Sequence, residues 1–413
     1  MDGSPTQASA RQWPEQGPSR VPNWLYSDPE IFALEQERIF GGRGWAYVCL
    51  EAEIRNPGDF KRAQIGTKSV VAVRCAAGEI SVFVNRCAHR GVELCREGQG
   101  HAKEFVCPYH QWTYDLAGKL IGVPFRRGYQ KQGGMPAEFR LEDNGLQRLK
   151  VAARHGVVFA SFDAATEPFE DYLGANMLGY FDRVFPGREL VVLGYQRQRI
   201  PSNWKLMFEN IKDPYHASLL HVFLVTFGLF RLDQKSAVEM DETGRHAVLV
   251  SRKGAQAVND ATSQMRSFKA DFALSDTRLL EPVREFPGDA TVVMQTIWPN
   301  LIVQQQSNTL AMRQIVPIDA SRFDLAWTYF GYADDPPEMT RRRLRQANLM
   351  GPAGYVSLDD SEIMMLSQAG LAGSPAAECL IEMGGREIRD EDHMVTEVAI
   401  RGFYQHYRRV MGL

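Results

Sequence analysis

A chain of 413 residues with 47 lysines and arginines against 50 aspartates and glutamates carries a formal charge of −3. The length supports two or three domains with full cores, and the near-even balance leaves no basic field for nucleic acid. The greasy stretch from Ala217 to Phe230 is too short to cross a membrane and is broken by His221 and Thr226.

In chain order, residues 1–22 are rich in Ser, Gln, Pro and Gly and lack an apolar h-region, which predicts a loose tail rather than a signal peptide. That tail belongs to a segment, 1–44, expected to pack on the C-terminal domain. Short strands with turn punctuation follow: Trp45–Leu50, the valine run Ser69–Arg74, Ile80–Asn85, and Trp112–Leu120 around an Ala117-Gly118 turn. A small all-β domain over 45–162 is expected. A helix is predicted over Phe169–Phe185. Beyond it, strands are predicted at Leu190–Ile200, His246–Ser251, Thr291–Trp298, Leu301–Gln306, Leu310–Pro317 and Phe323–Tyr332. Helices are predicted at Asn203–Lys212, Pro336–Met350, Ser357–Gln368 and Val395–Met411. Consecutive antiparallel strands with segregated helices favour an α+β domain over 163–413 rather than a doubly wound sheet.

Inside the β-rich region stands Cys87-Ala-His89 and, seventeen residues on, Cys107-Pro-Tyr-His110. Two thiolates and two imidazoles in that order suit a Rieske [2Fe–2S] cluster, with the cysteines on one iron and the histidines on the other. Imidazole in place of thiolate makes the cluster less negative and raises its potential to roughly −150 to +300 mV. A structural zinc site uses the same residue types, but its pairs usually come as C-x2-4-C followed by H-x3-5-H. Here each loop supplies one Cys and one His. Six cysteines are too few and too scattered for a disulfide framework. Cys49, Cys75, Cys95 and Cys379 are therefore expected as reduced thiols, in a reducing, cytoplasmic setting.

A second concentration of ligand chemistry runs from Asn203 to His221, with Glu209, Asp213 and His216 between them. A mononuclear Fe(II) oxygenase needs two His and one carboxylate on one octahedral face, with open positions for O2 and water. His216 and His221 lie five residues apart, about 140° around a regular helix, so they converge only if the helix bulges or breaks. Pro214 already prevents a regular helix here. The third ligand must come from elsewhere, and Asp359-Asp360 is the candidate pair. Spacing does not choose between the two, and Ser357 with Asp360 also reads as a purely structural capping box. Asp213 sits three residues before His216, close enough to accept its second N–H.

These motifs resemble the large (α) subunit of Rieske non-haem iron aromatic-ring-hydroxylating oxygenases over nearly the whole chain. The likeness rests on the cluster loops, on Asn203-Trp-Lys through Glu209-Asn210, Asp213, Tyr215-His216 and His221, on Gly351-Pro-Ala-Gly ahead of the paired aspartates, and on Ile400-Arg-Gly-Phe-Tyr. The resemblance implies a Rieske domain plus a helix-grip α+β catalytic domain. It implies Cys87, His89, Cys107 and His110 on the cluster, and His216, His221 and Asp360 on one mononuclear Fe(II). It makes Asp213 the bridge to His110 of the partner subunit, and it implies a small β subunit in an α3β3 assembly, or α3 alone. Many members carry Gly where this chain has Gln111, which bears on the cluster's potential rather than its identity.

Arg20-Val-Pro-Asn-Trp-Leu-Tyr, Gly122-Val-Pro-Phe-Arg-Arg-Gly, Gly133-Gly-Met-Pro and Ile381-Glu-Met-Gly-Gly are similar to members acting on benzoates. Salicylate 5-hydroxylases are the nearest in look; anthranilate, 2-halobenzoate and terephthalate dioxygenases are less so. The expected activity is O2-dependent hydroxylation of an aromatic acid, with electrons from NADH through a reductase and a ferredoxin, since the chain has no NAD or flavin fingerprint. A cis-dihydroxylating dioxygenase uses the same ligands and is the alternative. A pure Rieske electron carrier would leave the second His-His-Asp set without a purpose.

Residues 301–316 read as a hairpin. With a loop of two or four residues, Gln304, Gln306 and Arg313 share one face, and Leu301, Val303, Leu310 and Met312 the other. A three-residue loop would flip the pairing. Arg313 is then the candidate to hold a substrate carboxylate and Gln306 to line the pocket. A surface arginine, or one paired to a structural acid, is the competing reading.

Overall fold

The computed structural model describes residues 11–232, 234–252 and 260–413. The loose-tail reading of residues 1–10 lies outside the described residues, and from Trp13 onward it is corrected. Trp13 is buried, 5.6 Å from the Tyr404 ring, and its indole N–H donates to the Gly17 carbonyl. Arg20–Pro22 pairs antiparallel with Glu378–Leu380. A few large apolar side chains outweigh the polar composition of this segment.

Residues 46–161 form three small antiparallel sheets. Ile80–Val84, Lys68–Arg74, Asp59–Ile65 and Gln99–His101 make the largest. Lys150–Arg154, Val157–Ser161 and Ala46–Leu50 make the second, and Phe105–Val106, Thr113–Tyr114 and Leu120–Gly122 the third. Val71, Val73, Phe60, Phe83 and Phe105 share a core with Cys87, Cys107, Trp112 and Tyr114. The predicted Trp112–Leu120 hairpin is present with shorter strands. Asp115 draws the Ala117 and Lys119 N–H groups onto its own carboxylate, and Gly118 turns the chain at φ 81°.

The C-terminal part is built on a seven-stranded antiparallel sheet. Its strands are β1 (Leu190–Ile200), β2 (Ser236–Met240), β3 (Ala247–Arg252), β4 (Ala290–Ile297), β5 (Leu301–Gln306), β6 (Thr309–Asp319) and β7 (Arg322–Tyr332), in the order β1-β7-β6-β5-β4-β3-β2. The central hairpin β5–β6 pairs Gln306 with Thr309 across a two-residue loop, with Ser307 at φ 54°. Every residue of β5 is buried, because both sheet faces are covered at the centre.

Five helices matter for the site: α1 (Trp204–Lys212), α2 (Pro214–Leu220), α3 (Val222–Thr226), α4 (Tyr355–Gly373) and α5 (Val398–Met411). Asn203 caps α1 by accepting the Lys205 N–H. Asp213 caps α2 by accepting from Tyr215 and His216, with Pro214 in the first turn where its missing N–H costs nothing. Helix α1 is clamped by two buried polar sets. Glu35 accepts from the Lys205 ammonium (2.6 Å), the Trp204 indole (2.7 Å) and the Tyr407 hydroxyl (2.6 Å). Glu209 accepts from Tyr26 and Tyr404. Among the described residues no helix is long and apolar enough to cross a membrane.

Candidate functional site

The first donor set stands on the two loops of the β-rich part. Cys87 and Cys107 are each 2 % exposed, and the His89 and His110 rings lie 4.7 Å apart. Trp112 stacks on His89 at 4.7 Å and 6°. The Tyr114 hydroxyl lies 3.2 Å from Cys87 Sγ and accepts the Ala88 N–H. His110 Nδ1 is buried without a protein partner. Two buried sulfurs and two adjacent imidazoles fit a Rieske cluster. Gln111 adopts φ 56°, the left-handed region that glycine enters freely. The turn asks for a conformation that suits glycine, and Gln111 accepts the strain.

The second set gathers where α2 ends. The Nε2 atoms of His216 and His221 lie 3.5 and 3.2 Å from Asp360 Oδ1, and one ligand atom from each residue falls within 4.8 Å of the others. The helix breaks at His221, whose ψ of 88° ends α2 and starts α3. That break swings its ring to within 5.5 Å of the His216 ring, which a regular helix would forbid. Asp360 comes from the second turn of α4. Because α4 begins after Gly354, Ser357 is not an N-cap, and the capping-box reading is overturned. Glu209, one turn before Asp213, takes no part here: it faces Tyr26 and Tyr404.

A second layer of acids backs both rings. Asp213 Oδ2 lies 3.4 Å from His216 Nδ1, and Asp359 Oδ2 lies 3.3 Å from His221 Nδ1. Asp359 hydrogen-bonds His221 Nδ1 and leaves its Nε2 facing Asp360, while Asp213 stands beside His216 Nδ1 as a charge without hydrogen-bond alignment. Asn210 donates to Asp360 Oδ1 at 3.0 Å. Burial alone would lower the pKa of His216, yet Asp213 and Asp360 raise it to about 10. Burial would raise Asp360, but His221 and His216 hold it far below the usual carboxylate range. The trio is thus built to draw positive charge, and its donor set fits a divalent iron.

The pocket beside these residues has apolar walls from Leu224, Phe230, Leu249, Val292, Met294 and Met350. One wall is polar. Arg313 is 3 % exposed, its guanidinium 4.3 Å over the Trp327 ring, and Nη1 donates to Gln304 Oε1 at 3.3 Å. No carboxylate pairs with it among the described residues, and its Nε is buried without a partner. Burial lowers its pKa to about 10, with Asp360 opposing, so it stays a cation at neutral pH. Gln306 lines the same wall. Of the polar residues around the pocket, Asn210 and Gln304 were assigned no role from sequence. Only the shared strand face of Gln304 with Gln306 and Arg313 pointed to one of them.

A cluster-type donor set in one β unit and a His–His–carboxylate face in another define a two-centre iron oxygenase. The family "Ring hydroxylating alpha subunit (catalytic domain)" matches residues 187–413, and "Rieske [2Fe-2S] domain" matches residues 44–133. The chain is 54 % identical over 407 residues to the large oxygenase component of salicylate 5-hydroxylase from Ralstonia sp., covering 97 % of this chain and 96 % of the relative. It is 44 % identical over 408 residues to the anthranilate 1,2-dioxygenase large subunit of Burkholderia cepacia, covering 98 % and 96 %. Naphthalene 1,2-dioxygenase from Rhodococcus sp., bound to indole, matches with a TM-score of 0.79 over 95 % of this chain and 94 % of that one, at 24 % identity, a likeness of fold. The chain belongs to the ring-hydroxylating oxygenase α subunits, oxidoreductases with a Rieske [2Fe–2S] cluster and a mononuclear iron.

Proposed function

We propose that this large subunit hydroxylates a benzoate-type acid, salicylate or another ortho-substituted benzoate, with O2 and two electrons from NADH delivered through a reductase and a ferredoxin. The observation that carries this reading is Arg313, a buried cation that forms no ion pair among the described residues, in the wall of the His–His–Asp pocket. A guanidinium offers a carboxylate two parallel N–H bonds and therefore orients a ring as well as binding it. Leaving such a charge unpaired in a dry wall is costly, and an anionic substrate relieves that cost. The 54 % identity to a salicylate 5-hydroxylase component supports the same substrate class.

In this reading Cys87, His89, Cys107 and His110 hold the cluster, and His216, His221 and Asp360 hold the Fe(II). The cluster supplies electrons one at a time, and the Fe(II) supplies O2 activation next to the ring. Asp359 keeps the His221 Nδ1 proton in place, Asp213 sets a charge beside His216 Nδ1, and Asn210 keeps Asp360 oriented. Gln306 contacts the substrate, and the apolar wall keeps water from the ring. Overall one O atom enters the ring C–H, the other leaves as water, and two electrons and two protons are consumed. Asp213 links His216 to His110 of the partner subunit. Within the chain Asp213 pairs with His216 and makes no hydrogen bond to His110, which supports a link made between chains.

The chain divides into a packing segment (1–44), a Rieske domain (45–162) and a catalytic domain (163–413). A small β subunit completes an α3β3 assembly in the cytoplasm. Reductive turnover with NADH, reductase and ferredoxin on a panel of ortho- and para-substituted benzoates, with product identification, tests the reading. A single new hydroxyl on a 2-substituted benzoate is expected. Oxidation of uncharged arenes with no turnover of any benzoate overturns it.

A further inference from the structure

Arg313, Gln304 and Gln306 form a chain of hydrogen bonds whose direction has only one solution. Arg313 Nη1 donates to Gln304 Oε1 at 3.3 Å, and Gln304 Nε2 donates to Gln306 Oε1 at 3.3 Å. An amide can be turned end for end, but a guanidinium cannot accept a hydrogen bond. Arg313 therefore fixes the oxygen of Gln304 toward itself. The Gln304 NH2 must then point to Gln306, and Gln306 must answer with its oxygen. What Gln306 has left to offer a ligand is its own NH2. The three residues are 3 %, 1 % and 5 % exposed, so water does little to relax this order. These three residues thus present donors: the Arg313 N–H groups not taken by Gln304 or by the Met207 sulfur (3.9 Å from Nη2), and the Gln306 NH2.

We infer that this polarised amide chain selects the ortho substituent of the acid, favouring an oxygen that accepts over an amine that donates, with Gln304 as the positioning residue that sets the direction. The inference rests on the reading of Arg313 as the carboxylate holder. In a 2-hydroxybenzoate the phenol proton is shared with the neighbouring carboxylate, so the phenol oxygen turns its lone pairs outward, toward a donor. In a 2-aminobenzoate one N–H goes to the carboxylate and the other points outward, where it meets the Gln306 NH2 donor to donor. A buried donor left without an acceptor weakens binding by about tenfold or more. The two acids share charge and nearly share shape, so their ratio isolates the hydrogen-bond direction.

Equilibrium binding of salicylate, anthranilate and benzoate to the iron- and cluster-loaded oxygenase tests this, in wild type, Gln304→Glu, Gln304→Met and Gln306→Glu. Wild type should prefer salicylate to anthranilate by about tenfold. A carboxylate at 304 only accepts, so it takes N–H bonds from both Arg313 and Gln306 and turns the Gln306 oxygen into the pocket. Gln304→Glu should bind all three acids more weakly and should shift the salicylate-to-anthranilate ratio by at least tenfold toward anthranilate. Gln306→Glu should move the ratio the same way without touching the Arg313–Gln304 bond. Gln304→Met frees Gln306 to face either way and should bring the ratio near one.

A purely structural role at 304 would weaken all three acids alike, and an unchanged ratio in every variant that keeps its cluster spectrum overturns the inference. So does a wild-type ratio near one. If benzoates still bind and depend on Arg313, only the amide chain fails. If no benzoate binds at all, the carboxylate reading fails and takes this one with it.

Discussion

At the scale of single residues, the site depends on which of two adjacent acids faces the metal. Successive positions on a helix point about 100° apart, so Asp359 and Asp360 cannot do the same job. Asp360 is 5 % exposed and meets both Nε2 atoms, while Asp359 reaches His221 Nδ1 from behind. Asp360→Asn is expected to abolish turnover and mononuclear iron while the cluster's visible spectrum stays unchanged. Asp359→Asn should still bind iron, about 10- to 100-fold more weakly, as loss of an outer partner to a ligand histidine typically does. Iron analysis on the two variants checks the ranking, and the reverse order would move the ligand by one position. Arg313→Gln removes one partner of a desolvated ion pair, which costs about 2–5 kcal/mol. Its kcat/KM on the native acid should fall by on the order of 10²-fold, with both metals retained.

At the scale of elements, one short run of chain does several jobs. Helix α1 ends at Lys212, Asp213 caps α2, and the break at His221 aims the second imidazole. Lys212 is 2 % exposed, and its ammonium donates to Thr296 Oγ1 at 2.8 Å. Burial lowers its pKa to about 7, with Asp241 acting the other way at longer range. An unfolded lysine titrates near 10.4, so between about pH 7 and 10.4 the unfolded chain binds one more proton here than the folded one. Lys212 therefore makes stability rise with pH across that window, and its full penalty is present below about pH 7. Lys212→Met should raise the urea midpoint at pH 7 and gain less over wild type at pH 9.5. An equal gain at both values would show that the folded lysine is not shifted.

At the scale of the whole molecule, the expected electron path runs between chains. Asp213→Asn keeps an oxygen to cap α2 but removes the charge that would link His216 to His110 of the partner subunit. Both metals should remain and NADH-driven turnover should vanish. Assemblies mixed from Asp213→Asn chains and Cys107→Ser chains should regain part of the activity, because an intact cluster in one chain then feeds an intact iron site in the next. No recovery in mixtures shown to contain both chains would place the path within one chain.

Much of this molecule was legible in its sequence, for a physical reason. A cluster loop needs its ligands within a few residues of each other, so Cys87-Ala-His89 and Cys107-Pro-Tyr-His110 are local patterns. The period-two run of β5 and β6 likewise fixed the face shared by Gln304, Gln306 and Arg313, and the two-residue loop upheld it. What the chain could not show by itself were contacts made across long separations. Whether Asp359 or Asp360 meets the histidines depends on the rotation of α4 against α2. Whether Glu209 joins the site depends on Tyr26 and Tyr404, which arrive from the two ends of the chain and draw it away. Trp13 and Val21 turned a polar segment into part of the packed structure only because α5 and Glu378–Leu380 were there to receive them. Sequence determined which groups were available and which local turns and strands would present them. Tertiary packing alone decided their partners, because the free energy of a buried charge or amide depends on every group around it and not on its neighbours in the chain.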